Sequence, residues 1–291
     1  NNENYFEGYQ FDLHQYKNNF DDFNLSLEKA ILKRVNNNNN NNEIGLCLSS
    51  GYDSGVINCC LLKNKVKHTT YSMKCIENMN ILNKRIKISS ENSNLSYFYD
   101  WKKKEYLENK LNYQKIIEGT SVPLYSKPNK IIRYYNLIGD WAGTGLFYIQ
   151  NESKKDNIKI FLSGQGADEI YSDYGWRGRS IKDMTKTNND NTPSSFLGDF
   201  PENLSDIFPW PNFFYGQNES FIAKEELVAS LFGIETRYPF LDKELVQEFL
   251  WLSNNLKNEK YKAPLFNYMK KNNYPFCENE KVGFKAKRTS N

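Results

Sequence analysis

The stretch Glu43-Ile-Gly-Leu-Cys-Leu-Ser-Ser-Gly-Tyr-Asp-Ser-Gly55 decides how the rest of the chain is read. Residues 43–48 form a short apolar run bounded by turn formers, the pattern of a strand covered on both faces. Small residues follow, and then helical spacing begins: Val56, Cys59, Cys60 and Lys63 share one face, which Ile57, Leu61 and Leu62 broaden. Where a strand passes through small residues into a helix, successive backbone N–H groups can close round an anion, and the helix N-terminus adds its dipole. Ser49, Ser50, Gly51, Tyr52, Asp53 and Ser54 are therefore candidate ligands for the phosphates of a nucleotide. The loop is not a Walker A motif, because no Gly-Lys-Ser/Thr closes it. An acidic residue would repel bare phosphate, so Asp53 suits a ligand for Mg²⁺ carried in with the nucleotide. The same residues would also serve an ordinary turn capped by Asp53 and Ser54, and this motif alone leaves both readings open.

A second stretch repeats the arrangement. Ile158-Lys-Ile-Phe-Leu162 reads as a strand and runs into Ser163-Gly-Gln-Gly-Ala-Asp-Glu169. Two such turns in one parallel sheet open at its carboxyl edge, where open α/β folds bind ligands. Asp53 and Asp168 are the two carboxylates expected to share one Mg²⁺, whose other ligands would be waters and phosphate oxygens. Helix capping by Asp168 and Glu169 is the competing account of this turn.

Between and around these turns the pattern alternates. A helix is expected over residues 20–35, on Phe23, Leu25, Leu27, Ala30, Ile31 and Val35, and it ends in the run Asn36 to Asn42. That polar run buries nothing and reads as a disposable loop. Strands are expected at Thr69–Met73 and at Arg85–Ile88, a helix over 131–150, and helices near 218–232, 242–253 and 262–272. Strands alternating with helices predict an α/β, Rossmann-like parallel sheet with a helical C-terminal portion. The implied organisation is a lead-in segment 1–35, the poly-Asn loop 36–42, and one nucleotide-binding domain over 43–291.

Composition narrows the function classes. The 291 residues carry 38 basic and 35 acidic side chains, a net +3, which gives no case for a nucleic-acid partner. Nothing approaches the roughly 18 apolar residues of a membrane span, and Asn1 to Tyr9 does not read as a signal peptide, so a soluble, cytoplasmic protein is expected. Five scattered cysteines without a CxxC pair, and only two histidines, make a zinc cage improbable and favour reduced, buried thiols. His14 and His68 lack any elbow motif for a serine triad.

Four segments in order make a resemblance specific. Ser49–Ser54 matches the pattern SGGxDS, Ser163–Glu169 matches SGEGxDE, Gly233–Asp242 matches GxExRxPFLD, and Lys281-Val-Gly-Phe284 matches Lys-x-Gly-Phe. In these the chain resembles the synthetase domain of the asparagine synthetases, within the PP-loop ATP pyrophosphatases. The resemblance implies ATP and Mg²⁺, aspartate as acyl substrate, and ammonia or an amine as acceptor. It also implies that Ser49–Ser54, with Ser163 and Gly164, hold the pyrophosphate portion of ATP. Tyr71, Ser72 and Met73 would meet adenine mainly through their backbone, and Lys281 would neutralise the phosphates during adenylation. Glu235 is expected mainly to lock the C-terminal helices with Arg237, and additionally to orient groups at the site. The family's glutaminase, with its catalytic cysteine at the first position, has no match here, since Asn1 opens the chain and Cys47 is the first cysteine. The chain by itself is expected to use free ammonia, or ammonia delivered by an upstream domain or subunit.

Three departures bear on activity. Ser50 replaces a glycine, which is tolerable if its backbone needs no positive φ. Gln165 replaces a glutamate, so proton transfer at that position is lost or moved to another group. Glu226-Leu227 stands at an Asp-Arg pair. A degenerate nucleotide-binding or structural relative is the rival reading, and a tRNA-modifying enzyme would need a basic face that the charge balance does not supply.

Overall fold

The computed structural model describes residues 9–35, 44–74, 77–100, 103–127, 130–136, 141–171 and 200–278. The poly-Asn run, Cys75 and the Lys281–Phe284 segment lie outside the described residues. Five parallel strands form the main sheet: β1 (Ile44–Cys47), β2 (Thr69–Met73), β3 (Ser96–Tyr99), β6 (Ile160–Leu162) and β7 (Glu235–Arg237), in the order β3-β2-β1-β6-β7. The chain winds outward from β1 to β3 and then returns to the other side of β1. The order therefore reverses between β1 and β6, which pair in the register Leu46↔Leu162. In an open parallel sheet that reversal leaves a crevice at the carboxyl ends of the two strands.

Helices cover both faces, as the apolar central strands β1 and β6 require. On one side α1 (Asp21–Lys33), α2 (Tyr52–Lys63), α9 (Lys243–Trp251) and α11 (Ala263–Lys271) share a core. Phe23, Leu27 and Ile31 of α1 meet Val56, Cys60, Leu245, Phe249 and Leu265 there. The opposite core is smaller and joins Tyr71, Met73, Phe161 and Ile234 to Ile149 of α5 (Trp141–Lys155). The 230s segment locks α1 to the sheet. Arg237 grips the Glu235 carboxylate in two contacts of 2.8 and 3.1 Å and donates to the Arg34 carbonyl, while Arg34 and Lys33 pair with the buried Asp242. Asp242 also caps α9 through the Glu244 N–H.

Two expected elements are corrected. Residues 85–88 belong to a helix, α3 (Met79–Glu91), not a strand. Ile86 and Ile88 alternate with lysine, but Leu82, Arg85 and Ser89 are the buried positions, at helical spacing. Residues 131–150 divide into β5 (Lys130–Asn136), paired antiparallel to β4 (Ser121–Lys127), and the start of α5. Ile131, Ile132, Tyr134 and Tyr135 are strand formers, and Pro128-Asn129 is a turn signal.

α2 continues into a buried polar network that predicts a pH response. His68 lies with Nε2 2.7 Å from Asn58 Oδ1 and Nδ1 2.9 Å from the Val66 carbonyl. Burial pushes its imidazole from 6.5 down to about 4. The unfolded chain takes up this proton near pH 6.5 and the folded chain only near 4, so the contribution of His68 to stability falls as pH drops through that window, by up to about 3 kcal/mol. The buried Glu225 carboxyl, pushed up to about 7, opposes this over the same range, so the check is comparative: between pH 7 and pH 5 wild type should lose more stability in denaturant melts than His68→Gln does, and equal changes in both proteins would contradict it.

Candidate active site

The loop after β1 is drawn tight by its own serines. Ser54 Oγ accepts from the Ser49 N–H and lies 2.8 Å from Ser49 Oγ, which in turn accepts from Gly51 N–H. Gly51 stands at the N-cap of α2 in extended conformation, with no side chain capping the helix. Ser50 is not among the residues with positive φ, so serine is tolerated in place of glycine. Tyr52 is buried and packs edge-on against Tyr261 at 5.7 Å between ring centroids.

The loop after β6 comes to meet it. A Cβ built on Gly164 would lie 2.8 Å from Asp53 Cβ, so only glycine permits this approach. Ser163 Oγ accepts from the Gln165 N–H at 3.2 Å and donates to Glu225 at 2.6 Å. Glu225 belongs to α8 (Gln217–Ser230), and burial pushes its carboxyl up to about 7.

One side chain bridges the loops. Lys262 Nζ is ion-paired to Asp53 Oδ1 and lies 3.0 Å from Asp168 Oδ1, to which the Tyr261 hydroxyl also donates. Burial works to lower the Lys262 pKa, but the two carboxylates outweigh it and hold the pKa above its ordinary value. Lys262 takes a left-handed backbone conformation at the N-cap of α11, whose first turn holds Pro264. The expected pairing of Asp53 with Asp168 is thus present in space, around an ammonium. Sequence reading missed Tyr261 and Lys262. Their only local signal is a proline-started helix.

The other expected residues divide. Tyr71, Ser72 and Met73 lie in β2, next to β1, and the Tyr71 hydroxyl is taken by Asp156 at 2.6 Å. Glu235 does not join the loops. The parallel register sets it beside Ile160, at the start of β6, whereas the candidate loops leave the other end, and its exposed carboxylate is held by Arg237. Its pairing with Arg237 is seen, but Arg237 reaches the Arg34 carbonyl at the end of α1 rather than the C-terminal helices, and Glu235 is not placed with the two loops. Lys281 lies outside the described residues. Cys59 and Cys60 are buried with pKa values pushed up to about 12, which makes them inert as nucleophiles.

The sequence matches the asparagine synthase family over residues 23–205, more than half of its length. This chain belongs to the asparagine synthase family. A protein of Methanocaldococcus jannaschii, provisionally described as a glutamine-hydrolyzing asparagine synthetase, is 24% identical over 227 residues. That alignment covers 76% of this chain and 34% of the relative, so the chain spans about a third of the relative's length. Among solved structures, an NMN synthetase from Francisella tularensis aligns with TM-score 0.35 and 12% identity, covering 84% of this chain and 94% of its own. An ammonia-dependent NAD synthetase from Campylobacter jejuni aligns with TM-score 0.33 and 14% identity, covering 89% and 96%. The family match takes in both strand-end loops and ends before Tyr261 and Lys262. Among the described residues no helix is long and apolar enough to cross a membrane.

Among the described residues no group of three or more His, Cys, Asp or Glu is placed to hold a metal by itself. Two carboxylates facing one buried positive charge nevertheless suit Mg²⁺, which binds through one or two carboxylates plus phosphate oxygens. Asp53 and Asp168 would hold it.

Proposed function

We propose that this chain is an ATP-dependent, AMP-forming amide ligase of the PP-loop type, with aspartate as its acyl substrate and ammonia or an amine as acceptor. The observation that carries the reading is the meeting of Asp53, Asp168 and Lys262 at the switch point of the sheet, together with membership of the asparagine synthase family. A carboxylate oxygen of the substrate attacks the α-phosphorus of ATP, the bond to the β-phosphate oxygen breaks, and pyrophosphate leaves. The amine nitrogen then attacks the acyl carbon and AMP departs. Mg²⁺, when bound, offsets phosphate charge. The first turn of α2 faces the pyrophosphate with its positive dipole end, and Lys262 is the point charge beside the leaving group. Lys281, from the basic tail, is proposed to assist it. Gln165 positions substrate by hydrogen bonding, since an amide cannot take up a proton. Ammonia is supplied free in solution or by a glutaminase domain or partner subunit, and the reaction takes place in the cytoplasm.

The test is release of AMP and pyrophosphate that depends on aspartate and ammonia, measured for wild type and Gln165→Glu. Wild type should turn over, and the added carboxylate should weaken Mg-ATP binding or leave the rate unimproved. A silent wild type with activity restored in Gln165→Glu would instead identify a disabled relative that keeps the nucleotide fold.

A further inference from the structure

Beneath the first loop lies a charged pair that the reaction just described does not use. Arg85, fully buried on α3, donates from Nη1 to the carbonyls of Ser49 at 2.6 Å and Gly51 at 2.7 Å, and from Nε to the Pro275 carbonyl at 2.9 Å. It reaches them past Gly55, where a Cβ would lie 2.5 Å from the guanidinium. In a trans peptide the C=O and the following N–H point in opposite directions. Drawing the Ser49 and Gly51 carbonyls onto Arg85 therefore turns the N–H groups of Ser50 and Tyr52 away from it. The Ser50 N–H is met at 2.6 Å by Glu77 Oε2, which also accepts from the Ser50 hydroxyl at 2.5 Å. The hydroxyl in turn accepts from the Asn78 N–H at 3.0 Å, and Ser50 is buried.

We propose that Glu77, acting through Ser50 and opposed by Arg85, is a positioning residue that presets the phosphate loop. The peptide between Ser49 and Ser50 is held at one end by a cation and at the other by an anion, so its N–H is reserved for Glu77, and phosphate is left to the amides at the start of α2. On this account the serine at position 50 is a functional part of the loop, with its hydroxyl fastened to the segment that opens α3. The inference rests on the proposed nucleotide reading.

The experiment measures calorimetric Mg-ATP affinity, KM for ATP against kcat, melting temperature, and hydrogen exchange of residues 49–54 without nucleotide, in wild type, Glu77→Ala, Glu77→Gln, Ser50→Gly and Ser50→Gly/Glu77→Ala. Glu77→Ala should raise the Mg-ATP Kd and the KM about tenfold and speed amide exchange in the loop, because an unfastened loop must be ordered on binding. Glu77→Gln, which keeps an acceptor of the same reach, should recover most of the affinity. The double variant should be little worse than Glu77→Ala, as both changes undo one hook. Tighter binding in Glu77→Ala would mean that the carboxylate competes with phosphate and would overturn the proposal. So would unchanged affinity and exchange, or a fall in melting temperature with KM unmoved. A wild-type chain that binds no Mg-ATP overturns the nucleotide reading, and with it any role of Glu77 toward nucleotide, a result distinct from wild-type binding that Glu77 does not influence.

Discussion

Lys262→Ala should lower ATP/pyrophosphate exchange by roughly 100-fold to 1,000-fold, the usual consequence of removing one well-placed donor to developing charge. The same substitution should change the protein without nucleotide. Lys262 holds the carboxylates of Asp53 and Asp168 together. Its loss leaves two like charges facing each other across the crevice. Breaking a buried ion pair costs roughly 3–5 kcal/mol, and the two aspartates, 26% and 22% exposed, place this case toward the low end. Magnesium chloride should therefore raise the melting temperature of Lys262→Ala clearly and that of wild type little. Exchange within a few-fold of wild type would remove Lys262 from the adenylation step. A variant melt indifferent to Mg²⁺ would remove the shared-metal assignment of Asp53 and Asp168.

Gly164→Ala should raise the Mg-ATP Kd at least about tenfold and slow AMP release further, with the fold retained. The added methyl would sit 2.8 Å from Asp53 Cβ, a distance that real Cβ contacts do not show, so one loop has to withdraw. Asp53 and Asp168 are held apart by little more than the width of an ammonium. A shift of about 1 Å between groups that act together can cost on the order of 100-fold in rate. Calorimetry of Mg-ATP binding, with circular dichroism as the control for folding, checks this. Unchanged affinity and AMP release would show that the loops need not touch during turnover.

Much of the architecture was legible in the chain because it is written in local periodicity. The run at 44–47 and the apolar end of 158–162 are strands because few polar atoms interrupt them, and 69–73 is one because β-branched and aromatic residues dominate it. The small residues after two of these strands mark where loops must turn closely, and that pattern located both Asp53 and Asp168. Local pattern failed at 85–88, where alternating isoleucine and lysine suggested a strand. What decides there is the buried Arg85, whose partners are carbonyls 34 and 36 residues earlier in the chain. It failed again for Glu235, whose place in a family pattern suggested the site but whose register puts it at the other end of the sheet.

The sequence by itself determined the fold class, the two strand-to-helix turns and the pair of acidic residues they carry, since each depends on residues within about ten positions of one another. The tertiary structure alone decided which charges face those turns. Lys262 stands 209 positions from Asp53, and Glu77 reaches back 27 positions to Ser50. No spacing rule joins such pairs. Lys262 meets Asp53 and Asp168 because β1 and β6 are neighbours and α11 is packed against α2, so that the start of one helix closes over the start of another, and Glu77 meets Ser50 because the strands they follow, β2 and β1, are parallel neighbours.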